Sequence, residues 1–375
     1  MNENTPNDHQ LTATTAADML AFIPNALGFQ PRESFAFVTL RGNTTGATLR
    51  IGIPADTTPA ADFAKVALHY LLADTAVDGV LMFVYTNEVA DAARTGENPD
   101  AKPYMAYAQA IEAELENVGI SLRNGWLVTD RGWMPYFCED LGCCDLNPSD
   151  EIRDSAINAE MIYRGYNTQE DPMKLTADPA FIGSDEAHTT ITEFTRFVLG
   201  GGTPDALDFD HASMRIARAQ WNEEVGGDIY EENEACDLAG WLFIKPIRDR
   251  IMADAISPAD DEATYLQVLT GQYEGQPDWS RVEATETLLV KILAYTPTED
   301  RAPLFCFLGW LRWYRGQASI AAAYFDKAIE ADRGHQYSRL MRELIGRGVL
   351  PLAAQNERTA YPHLQAHPVT GPAEP

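Results

Sequence analysis

Residues 79–85 read Gly-Val-Leu-Met-Phe-Val-Tyr, a run with no charged residue and no break in its apolar character. An unbroken run of this kind, instead of an alternating one, predicts a strand buried on both faces, in a sheet covered by helices. Upstream, Ser34-Phe-Ala-Phe-Val-Thr-Leu40 is rich in β-formers, a turn follows over 41–46, and 47–53 alternates. Together they predict a β-hairpin. Residues 58–73 carry Phe63, Val66, Ala67, Tyr70 and Leu71 at helical spacing, and 104–118 puts Tyr107, Ile111, Leu115 and Val118 on one stripe. A short helix over 15–21, capped by Thr14 or Thr15, is expected to end near Pro24. Residues 125–129 and 133–137 predict a second hairpin around Asp130-Arg-Gly132. Strands alternating with helices over this stretch predict an α/β (α+β) sandwich with a mixed sheet.

Beyond it the pattern changes to a mainly α-helical C-terminal part. The expected organisation is a disordered leader at 1–10, an α/β domain at 11–150, and a mixed, mainly helical continuation with acidic loops at 151–275. A helical subdomain at 276–351 and a disordered tail at 352–375 complete it. Within the continuation, 189–198 reads as helix, and Gly200-Gly-Gly202 after it as a cap and loop instead of a phosphate cradle.

The 375-residue chain has 56 Asp plus Glu against 28 Lys plus Arg, a formal net charge of −28. Such a surface repels phosphate backbones and anionic lipid, which argues against nucleic-acid and membrane partners. No stretch approaches the roughly 18 to 20 apolar residues that a membrane span needs, and the polar start has no basic-then-apolar leader pattern. Five cysteines in this length do not form a disulfide scaffold. A cytoplasmic location is therefore expected.

Two motifs carry a family resemblance. One is Pro24, then Leu27-Gly-Phe-Gln-Pro31 and Ser34, a P-x-x-L-G-F-x-P pattern; the other is Cys138, Cys143 and Cys144, spaced C-x4-C-C. With Ile247-Arg-Asp249 and the helical C-terminus, the chain resembles an uncharacterised actinobacterial family, a domain of unknown function. The resemblance implies no activity, substrate or catalytic residue. Where it implies Pro after the paired cysteines, this chain has Asp145-Leu-Asn-Pro148. A second likeness is to a single tetratricopeptide-type helical hairpin: Leu308-Gly309, Ala321, Phe325 and Ala328 match its small-and-large pattern, with Gly316 at the turn.

Two segments are candidate sites. Cys138, Cys143 and Cys144 are metal or redox candidates: three thiols within seven residues could ligate zinc, with Asp140, Asp145, His188 or His211 as a fourth ligand. Against this, adjacent side chains on extended chain point opposite ways, and the acidic neighbours Glu139, Asp140 and Asp145 disfavour a thiolate. Packing of the cysteines as small apolar residues is the competing reading. The other segment runs from Pro24 to Ser34. It joins a helix to a strand, where α/β sheets bind ligands, and offers Gly28, Arg32 and Ser34, with Asp18 nearby. Gly28 is equally explained by a backbone position with positive φ. Phosphate-binding, zinc-protease, nucleophile-elbow and dinucleotide motifs are all missing from the sequence.

These features favour a non-catalytic binding or regulatory protein, which recognises a small molecule or a protein partner and makes protein contacts through its helical C-terminus. Trp310, Trp313 and Tyr314 on one helix motivate the second part, against the alternative that they fill the core. An enzyme using the Cys138 or the Pro24–Ser34 segment is the alternative from another class.

Overall fold

The structure is a computed structural model that describes residues 11–88, 102–137, 146–166, 168–200, 212–227, 231–362 and 369–370. The chain divides into two compact units, Met1–Asp171 with Pro362–Pro375, and Pro172–Tyr361.

The first unit is built on a mixed sheet. Its strands are β1 (Leu11–Thr12), β2 (Ser34–Arg41), β3 (Thr44–Gly52), β4 (Gly79–Tyr85), β5 (Ser121–Thr129), β6 (Gly132–Pro135) and β7 (Val369–Thr370). They lie in the order β1-β7-β3-β2-β4-β5-β6. β2 pairs antiparallel with both β3 and β4, β4 runs parallel to β5, and β5 and β6 form the second hairpin. Every residue of β4 is buried, as its unbroken apolar run requires. Alternation along the strands separates two cores. Phe35, Phe37, Val80, Met82, Val84 and Leu127 face the helices α2 (Ala60–Leu71) and α3 (Met105–Asn117). Ala36, Val38, Leu81, Phe83, Trp126 and Val128 face α1 (Ala16–Leu27), α4 (Asp150–Arg153) and α5 (Ala156–Tyr163).

Three expectations are corrected here. α1 does not stop near Pro24 but continues to Leu27 with the proline inside it. Pro24 forgoes one intrahelical bond at a cost of about 3 kcal/mol; the burial of every residue from Ala17 to Asn25 outweighs it. Residues 151–171 belong with the sheet, because Ile157 and Met161 of α5 complete the core beneath α1. Finally, the tail is ordered over 352–361. Leu352–Gln355 form a 3₁₀ turn, Ala353 is buried, and Trp279 Nε1 donates to the Thr359 carbonyl at 3.1 Å.

The second unit is helical: α6 (Ala187–Leu199), α7 (Ala212–Glu224), α8 (Glu232–Leu242), α9 (Lys245–Ile256), α10 (Glu262–Leu269), α11 (Trp279–Tyr295), α12 (Ala302–Tyr314), α13 (Ala318–Ala331) and α14 (Gln336–Gly346). One continuous core runs from Ala187 to Ala353, so residues 276–351 do not form a core of their own. α12 and α13 make the predicted hairpin. A Cβ on Gly309 would lie 3.0 Å from Phe325 Cε1 and 3.1 Å from the Ala321 carbonyl oxygen, so only glycine permits this approach without displacement. Gly316 turns the chain between them with φ 77°. Trp310, Trp313 and Tyr314 are 0–2% exposed, which removes them from the surface on which partner contact was expected. Their apolar area is spent on the core: Trp313 Nε1 donates to Val349 O at 2.8 Å and the Tyr314 hydroxyl to Val268 O at 2.9 Å.

Candidate functional site

The predicted site residues of the first unit fall into three places. Asp18 lies at the start of α1 and is consumed by capping. Its Oδ2 accepts from the Thr15 N–H at 3.1 Å while Thr15 Oγ1 accepts from the Asp18 N–H at 3.1 Å, a reciprocal capping box. Thr14 N–H and Ile157 N–H add further bonds at 2.9 and 3.3 Å. Burial acts to raise the Asp18 carboxyl, but these donors hold it below the ordinary carboxylate value. Gly28 closes the other end of α1 in the left-handed region, φ 82°, with its N–H on the Pro24 carbonyl. Ten residues of helix separate it from Asp18, about 15 Å. The two cannot grip one small ligand.

Ser34 opens β2, directly opposite Tyr85, at the edge where β4 and β5 end. Arg32 is exposed, and its carbonyl accepts from Arg50 Nη2 at 3.0 Å. Between them Glu33 has φ 40°, a left-handed conformation for a residue with a side chain. Its carboxylate accepts from Thr86 Oγ1 at 2.8 Å and from the Asn87 N–H at 3.3 Å. Tyr104, also left-handed at φ 62°, donates to Glu88 at 2.7 Å. Backbone strain is thus concentrated around 86–88, where a ligand would be sought in an α/β sheet. Ser34, Tyr85 and Trp133 lie in one cross-strand row through Val128, and their Oγ, Oη and Nε1 are buried without hydrogen-bond partners among the described residues. The structure therefore brings Arg32 and Ser34 together and leaves Asp18 and Gly28 in structural roles at the two ends of α1.

Cys138, Cys143 and Cys144, with Asp140, Asp145 and His211, lie outside the described residues. Cys236 and Cys306 are buried free thiols, and burial pushes each up to about 11, far from thiolate chemistry at neutral pH.

A space large enough for a ligand lies in the second unit. One stripe of α6, with Phe243 and Asp300, lines a cavity of about 360 Å³, within the range of small-molecule sites. Ile191, Leu199 and Phe243 form its apolar wall. Asp300 ends the 3₁₀ turn Thr298–Asp300 and is 6% exposed. Its Oδ2 meets His188 Nδ1, one turn before Ile191 and Thr192 on α6, at 2.7 Å. Oδ1 makes no hydrogen bond among the described residues. Burial raises the Asp300 carboxyl despite His188, and the hydrogen bond to Asp300 raises the half-exposed imidazole in turn. Arg196, exposed on the same stripe, makes no ion pair or hydrogen bond among the described residues. Thr195 is spent on α6 itself, its hydroxyl donating to Ile191 O at 2.9 Å.

Sequence reading named His188 only as a distant zinc ligand and missed Asp300, Arg196 and Phe243. The helical period of α6 is visible in the sequence, but nothing there shows that a carboxylate 112 positions from His188 faces the same stripe. Among the described residues no group of three His, Cys, Asp or Glu side chains is placed to hold a metal ion, and no helix is long and apolar enough to cross a membrane.

The protein is thus a mixed α/β unit and a helical unit, the second of which carries the cavity beside α6. The chain belongs to the family described as a domain of unknown function (DUF4192), which matches residues 17–352. No curated protein and no solved structure matches it.

Proposed function

We propose that this chain is a cytoplasmic, non-catalytic binding or regulatory protein that takes a small molecule in the cavity beside α6, and does not bind nucleic acid. The observation that supports this reading is Asp300: a carboxylate 6% exposed at the wall of a cavity also lined by Ile191, Leu199 and Phe243, with one oxygen that makes no hydrogen bond among the described residues. Burial raises its carboxyl even beside His188, so the charged form is held there at a cost. The net charge of −28 disfavours anionic polymers as partners. With Trp310, Trp313 and Tyr314 in the core, protein contact no longer rests on those aromatics.

The test is ligand screening of the full chain by protein-observed NMR at millimolar concentration, repeated on Leu199→Trp, which fills the cavity. Hits that shift Ile191 and Leu199 resonances and vanish in the variant support the reading. A screen in which no compound moves these resonances refutes it.

One observation favours a second reading. His188 held by a buried aspartate is the arrangement that orients a histidine general base. An enzyme would need a nucleophile or activated water at the free Nε2, and the buried thiol of Cys236 is not ionised for that role. Turnover of a screening hit, lost in His188→Gln with binding retained, would establish this reading over the first.

A further inference from the structure

The charges around the α6 cavity define the ligand more narrowly; this inference rests on the binding reading above. Asp300 and Arg196 both line the cavity, yet they do not neutralise each other: Asp300 spends Oδ2 on His188, and the Arg196 guanidinium is unpaired among the described residues. An anionic ligand would satisfy Arg196 but bring a second negative charge to a buried carboxylate. A simple cation would satisfy Asp300 and leave the guanidinium idle. A ligand that carries both charges at one end and an apolar body at the other uses every group, the body lying against Ile191, Leu199 and Phe243.

We propose that the cavity beside α6 is a site for a free amino acid or similar zwitterion with an apolar side chain, its ammonium on Asp300 and its carboxylate on Arg196. The guanidinium fork matches a carboxylate in bidentate geometry, and the free Oδ1 of Asp300 accepts one ammonium proton. The Thr192 side chain lines the same wall and is available to the polar end. Selectivity follows from the apolar wall: charged side chains would be desolvated there without partners.

The experiment is isothermal titration calorimetry of the full chain with L-leucine, isoamylamine and 4-methylpentanoate, which share one apolar body and differ in their charges. The expected result is binding of L-leucine at least tenfold tighter than either single-charge analogue, with Arg196→Gln and Asp300→Asn each removing most of that preference. Arg196 is exposed, so its variant keeps the fold even if Asp300→Asn does not. Isoamylamine or 4-methylpentanoate binding as tightly as L-leucine, with loss in Leu199→Trp, would overturn the zwitterion assignment and leave the cavity a binding site. If none of the three binds while screening yields other hits in the cavity, the assignment falls in the same way. If screening also yields none, both readings fall.

Discussion

Phe325→Ala tests the packing that holds the cavity-bearing unit together. The Phe325 ring is fully buried and lies in the closest approach of α12 and α13. Truncating a buried phenylalanine costs about 3–5 kcal/mol, the larger values where neighbours cannot collapse into the void. Here Gly309 on α12 has no side chain to move into the void, and Ala321, one turn before Phe325 on α13, is itself 0% exposed. The cost therefore belongs near the upper half, about 4 kcal/mol. In a unit of this size 1 kcal/mol moves the midpoint by about 2–4 °C, so Tm should fall by about 8–16 °C. Urea unfolding followed by far-UV circular dichroism measures the free energy, provided the m-value is unchanged, and a thermal scan measures the midpoint. A loss below about 1 kcal/mol at constant m would refute the close-packed hairpin, since it would mean that the ring is replaceable by water or by relaxation of the helices.

Ala321→Glu places an unpaired charge in the same seam and should cost at least about 3 kcal/mol; an unchanged melting temperature would contradict the helix contact at Gly309. Asp74→Asn in the first unit removes the carboxylate that accepts from Thr39 Oγ1 at 2.5 Å and Arg41 Nε at 2.9 Å, with an expected loss of about 2 kcal/mol. Burial acts to raise Asp74, but these bonds hold it low, so its contribution is present above the unfolded value of about 3.9 and disappears as pH falls through the lower folded value. Acid titration of stability should be shallower in the variant. For His188 the sign is opposite: its raised folded value gives stabilisation that is complete below about pH 6.5 and lost as pH rises through the folded value. His188→Gln should flatten the Tm profile in that window, and an identical slope would show that the Asp300 pair is absent in solution. Glu33→Gly and Glu33→Ala lose the same bonds to Thr86 and Asn87 but differ in backbone strain at φ 40°. Glycine should therefore be the more stable replacement by about 1 kcal/mol, and equal denaturation midpoints would dismiss the strain.

Much of the fold was legible because its signals are local. The apolar run 79–85, the hairpin periods and the Gly309–Phe325 pattern each report on neighbours within one turn or one strand pair. Pro24 misled for the same reason: a proline reads as a stop, and only the burial of the whole of α1 reverses it. The tail misled because its prolines hide Ala353 and Thr359, which pack through contacts some 80 positions away. Asp18 and Gly28 stand out as ligand candidates in the sequence, whereas in the fold each serves capping at one end of α1. Arg32 and Ser34 do share an edge, together with a strained Glu33 that composition alone does not reveal.

The contrast between the two sets of polar groups is what directs attention to α6. In the first unit Asp18 is held by capping, Asp74 by strand neighbours, and Glu33 by the Thr86 hydroxyl and the Asn87 N–H after β4, so each charge has a structural use. Asp300 differs. Among the described residues the side chain hydrogen-bonded to it is a histidine about half exposed to solvent, which offsets little of the desolvation. An asparagine there could keep the His188 bond without a buried charge, and an apolar residue would extend the wall of Ile191 and Phe243. Under the proposed binding reading the ligand gives the Asp300 carboxylate its second partner, and the exposed guanidinium of Arg196 on the same stripe is a group that an opposite charge on that ligand could meet.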